Sequence, residues 1–251
     1  MSDNIRISTE ARVTTITIDR VDKKNAITQD MYGAMADAIV HYGDSDDARA
    51  LVITGVGNMF TAGNDLGDFV MGTSEADIPP VGRFLNAIRD CPKPLIAAVN
   101  GHAIGVGLTM LLHCDLVYCS EGATFSAPFV PLGVVPEAGS SVLLPAVVGM
   151  ALANDIVLTG RRLSAAEAEH HGLVARVFSD DEFEPAMHKV ALAVAGSAPT
   201  SMRRAKALMR HNRDFVAQQM NQENRWFADQ LAGPEFAEAM AAMKGKRAQS
   251  H

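Results

Sequence analysis

Short runs of β-branched and aliphatic residues alternate with stretches of helical periodicity over the first two thirds of the chain, which restricts the fold to a few classes. Val13-Thr14-Thr15-Ile16-Thr17-Ile18 is β-branched throughout and suits a pleated strand. Thr28 stands where a side-chain oxygen can cap a helix, and Met31, Met35, Ala38, Ile39 and Tyr42 follow at helical spacing. Leu51-Val52-Ile53-Thr54 reads as a buried strand ending in the loop Gly55-Val56-Gly57. Pro94-Leu95-Ile96-Ala97-Ala98-Val99 reads as another, closed by the turn pair Asn100-Gly101. Gly105-Val106-Gly107 then leads into a short helix through Leu111-Leu112, and the strand Leu116-Val117-Tyr118-Cys119 comes next. Strands alternating with helices predict an α/β layered fold rather than an all-β sandwich.

The pattern changes near Asp181. Ser164-Ala165-Ala166-Glu167 has capping-box spacing and marks a helix start, and Leu173-Val174-Ala175-Arg176-Val177 reads as the last strand. Beyond it Ala, Met, Gln, Glu and Arg dominate, which predicts helix packed on helix. No Pro/Gly/Ser linker intervenes, so the expected organisation is an α/β core over residues 1–195 with a helical region over 196–251 packed on it. Trp226, Phe227, Leu231, Phe236 and Met240 form an apolar stripe in that region, which either the core or another subunit must cover.

Several function classes are disfavoured. With 22 basic and 29 acidic residues the net charge is −7, a poor match to nucleic acid, whose binding relies on phosphate neutralisation. No run of 18 apolar residues suggests a membrane helix. The start, Met1-Ser2-Asp3-Asn4, lacks the basic and apolar regions of a signal peptide, and the tail is no peroxisomal address. Cys91, Cys114 and Cys119 are too few and too scattered for a disulfide framework, so free thiols in the cytoplasm are expected. Gly105-Val106-Gly107 starts a G-x-G, but Met110 stands where a dinucleotide loop needs its third glycine. There is no Gly-Lys-Ser/Thr phosphate loop, no G-x-S-x-G elbow and no zinc spacing. His170 and His171 are adjacent on a helix, so their side chains are expected to point apart on a solvated face.

Three segments remain. Phe60-Thr61-Ala62-Gly63-Asn64-Asp65-Leu66 follows a strand, and Asn100-Gly101-His102-Ala103-Ile104-Gly105-Val106-Gly107 runs into a helix. Small residues let a ligand approach the backbone, and two such loops could offer two N–H donors to one oxyanion; each also reads as an ordinary tight turn. In the third, residues 128–141, Glu137 is the only charge among apolar and small residues. Such surroundings raise a carboxyl pKa and suit a general base. Alternatively, Pro136 opens a helix and Glu137 complements its dipole.

Taken together these segments resemble the crotonase (enoyl-CoA hydratase/isomerase) family over nearly the whole chain. Arg20-Val21-Asp22-Lys23-Lys24-Asn25-Ala26-Ile27 resembles that family's first motif, with Val21 where proline is usual. Ala62-Gly63-Asn64-Asp65-Leu66 resembles its first oxyanion loop and 100–107 its second, which implies backbone donors at Asn64 and Val106. Leu158-Thr159-Gly160 and Ala168-Glu169-His170-His171-Gly172-Leu173-Val174 match its downstream pattern. The resemblance implies a spiral of ββα repeats, an acyl-CoA thioester substrate, no tightly bound cofactor beyond that coenzyme A, and a homotrimer or hexamer. Implied substrate or coenzyme A contacts are Lys23, Lys24, Ala26, Ala62, Asp65, Leu66, Phe129, Leu132 and Lys244, with Lys246 and Arg247 as further candidates.

Departures from the family pattern narrow the implied reaction. Family hydratases carry two glutamates, at positions that here look like Thr109 and Phe129, while Glu137 occupies the place of the single base in one group of Δ3,Δ2-enoyl-CoA isomerases. The expectation is therefore an isomerase with Glu137 as acid and base. The alternatives are another acyl-CoA reaction (hydration, hydrolysis or decarboxylation) or a catalytically silent coenzyme A-binding protein.

Overall fold

The computed structural model describes residues 2–68 and 78–249, the side chains of 243–249 excepted. Strand β1 (Ile5–Glu10) and β2 (Val13–Ile18) form a hairpin, and α1 (Gln29–Asp44) follows. Three units then repeat one plan: β3 (Ala50–Gly55), β4 (Met59–Thr61) and α2 (Pro80–Asp90); β5 (Leu95–Val99), β6 (His102–Ile104) and α3 (Val106–Thr109); β7 (Leu116–Ser120) and β8 (Thr124–Ser126), leading through a short 3₁₀ turn at Val130–Leu132 to α4 (Ser140–Val148). The first strand of each unit joins a six-stranded sheet of order β1-β2-β3-β5-β7-β10. The second joins a four-stranded sheet of order β4-β6-β8-β9. Within the large sheet only β1 runs antiparallel. This is the ββα spiral, an α/β fold. It repeats in structure although the sequence carries no strong repeat, because each turn needs only the same burial pattern.

Helix α5 (Met150–Thr159), β9 (Leu163–Ser164), α6 (Ala165–His170), β10 (Arg176–Phe178), α7 (Asp180–Gly196), α8 (Pro199–Met209), α9 (Arg213–Leu231) and α10 (Pro234–Gln249) complete the chain. Strand alternation sorts the two faces of the large sheet. Leu51 and Ile53 enter the main core with α1 and α2, whereas Ala50, Val52, Ile96 and Ala98 face Phe183, Met187, Ala191 and Ala195 of α7. Thr28 caps α1 by accepting from the Met31 N–H (3.4 Å), and the Ser164/Glu167 capping box opens α6 with both halves formed.

Three expectations need correction, and one strand carries no sequence signal. Strand β1 escaped notice because only Ile5 is buried; its other five positions are exposed at the sheet edge. Gly55 closes β3 instead of starting the loop. The last strand is Arg176–Phe178, not 173–177: Leu173 and Val174 are apolar because their side chains are buried, while their N–H groups turn back to Ala168 O. His170 and His171 do not point apart. One ends α6 and the other has left helical geometry, so their exposed rings meet edge-on at 4.9 Å.

The C-terminal helices are anchored by polar as well as apolar contacts. Buried Lys206 donates to Lys93 O (2.8 Å) and Asp115 Oδ2 (2.7 Å), and Arg210 donates to the carbonyls of Leu112 (2.8 Å) and Cys114 (2.7 Å). Lys206→Met should lower stability by about 3 kcal/mol in urea denaturation, since Arg210 at 3.7 Å leaves Asp115 only partly compensated. The apolar stripe divides: Phe227, Leu231 and Phe236 pack against the main core, while Trp226 is 58% exposed.

Candidate active site

The site is built where β4 and β6 end. The two strands are parallel with Thr61 opposite Ala103, and each reaches a left-handed glycine two residues later, Gly63 (φ +91°) and Gly105 (φ +60°). A Cβ on Gly63 would lie 2.9 Å from the Ile104 carbonyl oxygen and 3.9 Å from Gly105 Cα, so the two turns touch. Asn64 and Val106 follow these glycines at matched positions. Among the described residues neither of their N–H groups has an acceptor.

The segment 20–27 is knitted onto the first of these turns. Ala62 N–H donates to Lys24 O (3.0 Å), Ile27 N–H to Gly63 O (2.9 Å) and Asp65 N–H to Ile27 O (2.9 Å). Arg20 spans the seam, donating to Ala26 O (3.0 Å) and pairing with Asp65 (2.5 Å). This guanidinium and the Gly67 N–H hold the Asp65 carboxyl below its ordinary range. Fully buried Asn25 ties the same turn to β4 by donating to the carbonyls of Val56 (3.0 Å) and Met59 (2.7 Å). Lys23 and Lys24 are exposed beside it, and Leu66 is 39% exposed.

Glu137 is brought to the same place from 28 residues beyond Thr109. Its carboxylate is buried and accepts a hydrogen bond from the Thr109 hydroxyl, three residues after Val106 on α3. Burial pushes its pKa up to about 7; the Thr109 hydrogen bond opposes that rise and the charge of Glu223 adds to it. Buried Tyr32 donates to Asn64 Oδ1 (2.5 Å). Desolvation, then the nearby Glu137 charge, hold the Tyr32 hydroxyl well above its ordinary value, so it stays a neutral donor. Tyr32 is thus bonded to the first turn and lies within the field of the carboxylate. Pro136 does not open a helix: α4 begins at Ser140, so the dipole reading of Glu137 falls away.

Phe129 is buried in the main core and Thr109 is buried against Glu137, so neither of these two positions supplies a carboxylate. Leu132 is half-buried against the same core, and Lys244, Lys246 and Arg247 lie outside the described side chains. A cavity of ≈ 340 Å³ opens elsewhere, at the starts of the parallel strands, lined by Arg12, Asp46, Arg49, Lys93 and Arg203. It touches none of these groups, and a buried carboxylate bonded three residues beyond an amide that has no acceptor among the described residues is the stronger sign of chemistry. Sequence reasoning missed Tyr32 and Glu223. A signal for Glu223 existed: Val216, Met220, Glu223 and Phe227 share one helical face, and a charge on a buried face calls for a partner.

The enoyl-CoA hydratase/isomerase family model matches residues 8–251. The chain belongs to that family. Enoyl-CoA delta isomerase 2 of Rattus norvegicus is 38% identical over 241 residues, 91% of this chain, which spans only 61% of that relative's length. A carnitinyl-CoA dehydratase of Salmonella arizonae is 36% identical over 87% of this chain and 85% of its own. Among solved structures, an enoyl-CoA hydratase/isomerase from Pseudoalteromonas atlantica T6c superposes with a TM-score of 0.94 at 48% identity, covering 97% of this chain and 98% of that one. As a crotonase-fold protein the chain presents its two glycine turns and Glu137 on the strand-to-helix connections of successive spiral turns.

Proposed function

We propose that this protein is an acyl-CoA enzyme that moves a double bond from position 3 to position 2 of an enoyl-CoA. One observation carries the reading: the buried Glu137 carboxylate, its pKa raised to about 7, is bonded to Thr109, where a family hydratase would carry one of its two glutamates. Glu137 removes a proton from C2, the thioester oxygen of the resulting dienolate accepts from the Asn64 and Val106 amides, and the same carboxyl returns a proton to C4. One base suffices because the acid made in the first step serves the second. Buried Phe129 and half-buried Leu132 offer apolar surface for the acyl chain, and exposed Lys23 and Lys24 offer charge for coenzyme A phosphates, with Ala26, Ala62, Asp65 and Leu66 framing the thioester arm.

The carnitinyl-CoA dehydratase likeness favours a second reading, dehydration of a hydroxylated acyl-CoA at the same base. Parallel assays with 3-enoyl-CoA, 2-enoyl-CoA and carnitinyl-CoA decide between them; efficient turnover of either of the last two with poor isomerisation overturns the first reading.

For the isomerase, kcat/KM should rise through pH 7 and level off above it, because only the ionised base is active. The Thr109 hydrogen bond favours that ionised form, so Thr109→Val should move the rise to higher pH, measurable in a kcat/KM profile.

The proposal includes a homotrimer or hexamer in the cytoplasm. Exposed Phe215 (55%) and Trp226 (58%) on α9 supply uncovered apolar surface, and three buried free thiols suit a reducing compartment. Sedimentation at micromolar concentration should give three or six copies; a monomer alone would overturn the assembly.

A further inference from the structure

The turn that carries Glu137 is not regular secondary structure. It passes through Ala138 at φ +59° and Gly139 at φ +72°, a left-handed pair that is unfavourable for an alanine and persists only if its surroundings impose it. Three sets of bonds do so. The Ser140 N–H and hydroxyl donate to Glu137 O (3.1 and 2.6 Å), and His113 Nε2–H donates to Ala138 O (2.7 Å). From α9, Glu223 accepts the Gly139 N–H on Oε2 (2.6 Å) and the Ser141 N–H on Oε1 (3.0 Å).

Glu223 is only 4% exposed, and among the described residues no cation forms an ion pair with it. A neutral side chain could accept two amide protons without the cost of burying a charge. A carboxylate here therefore does something that capping alone does not require. We propose that Glu223 is a positioning residue for the reaction: its buried carboxylate fixes the turn that aims Glu137 and keeps a second negative charge behind that base. The proposal rests on the reading of Glu137 as the base.

The second charge disfavours the Glu137 anion, so the proton taken from substrate is held firmly enough to be carried and loosely enough to be returned. Burial raises the Glu223 pKa too, and its Ser141 and Gly139 hydrogen bonds oppose that rise by favouring the carboxylate. The other groups around the turn are few. Tyr32 on α1 and Thr109 on α3 are neutral, and His113 is pushed by burial down to about 4 and so is neutral as well. Arg89 on α2, which contacts α9 through Met220 Sδ (3.7 Å), is paired with Asp90.

The test uses the full-length protein labelled for NMR of glutamate carboxyl carbons, with the Glu137 signal identified by its loss in Glu137→Gln. This readout is independent of turnover. In Glu223→Gln the Glu137 midpoint should move from about 7 to lower pH, the acid limb of kcat/KM should move with it, and kcat should fall about 10–10²-fold through misplacement of the base. Gln219→Leu removes a neutral bond from the same helix to Ser141 Oγ (2.9 Å) and should leave the midpoint in place. Glu223→Asp keeps the charge but shortens the reach, so kcat should fall with the midpoint near its original value. An unmoved midpoint in folded Glu223→Gln, or full activity in Glu223→Asp, overturns the proposal. Should Glu223→Gln fail to fold, a downward-shifted midpoint in Glu223→Asp overturns it, because the charge is still present. A shifted midpoint in a protein that does not isomerise 3-enoyl-CoA would instead leave the link to Glu137 standing and remove the isomerase reading.

Discussion

Glu137→Gln should abolish 3-enoyl-CoA isomerisation, with a loss of at least ~10²–10⁴ in kcat. The amide keeps the size of the side chain and can still accept from the Thr109 hydroxyl, so the turn and coenzyme A binding should persist. What disappears is a group able to take the C2 proton. Hydration of 2-enoyl-CoA should be slow in the wild type as well, because Thr109 and Phe129 supply no second carboxyl to activate water. The same variant has a stability signature. A carboxyl whose folded pKa of about 7 exceeds its ordinary 4.5 stabilises the fold only while protonated, so its contribution is lost as pH rises through that window. Denaturation of the wild type between pH 4.5 and 8 should show this fall, and Glu137→Gln should lack it. Isomerisation that survives the substitution would place the chemistry on another group.

Gly63→Val should cost about 10²–10³ in kcat, the size of losing one oxyanion donor. Gly63 sits at φ +91°, where a β-branched residue is strongly disfavoured, and its Cβ would press on the Ile104 carbonyl at 2.9 Å. Relief comes by moving the two glycine turns apart, which separates the Asn64 and Val106 amides and disconnects Asn64 from Tyr32. Substrate affinity should change less than kcat, since the developing oxyanion exists only after proton removal. Single-turnover kinetics with a coenzyme A binding measurement separates the two. A variant that folds normally and isomerises at the wild-type rate would remove the paired amides from the mechanism.

Much of this protein is legible in the chain alone because the relevant physics is local. β-Branched runs, the Thr28 cap, the Ser164/Glu167 capping box and the glycines at 63 and 105 each act within a few residues, and they outline the α/β spiral and its two turns. Edge strand β1 and the two-residue β9 were not legible, because an exposed or very short strand carries no buried alternation. Glu137 could be recognised as unusual from its apolar neighbours, yet a helix-dipole role was equally open until α4 proved to start at Ser140. Only tertiary structure decided its partners. Thr109 reaches it across 28 residues, and Glu223 reaches the amide beside it across 84. Such pairings depend on how α3 and α9 pack against the turn, and no local pattern of residue types contains that information.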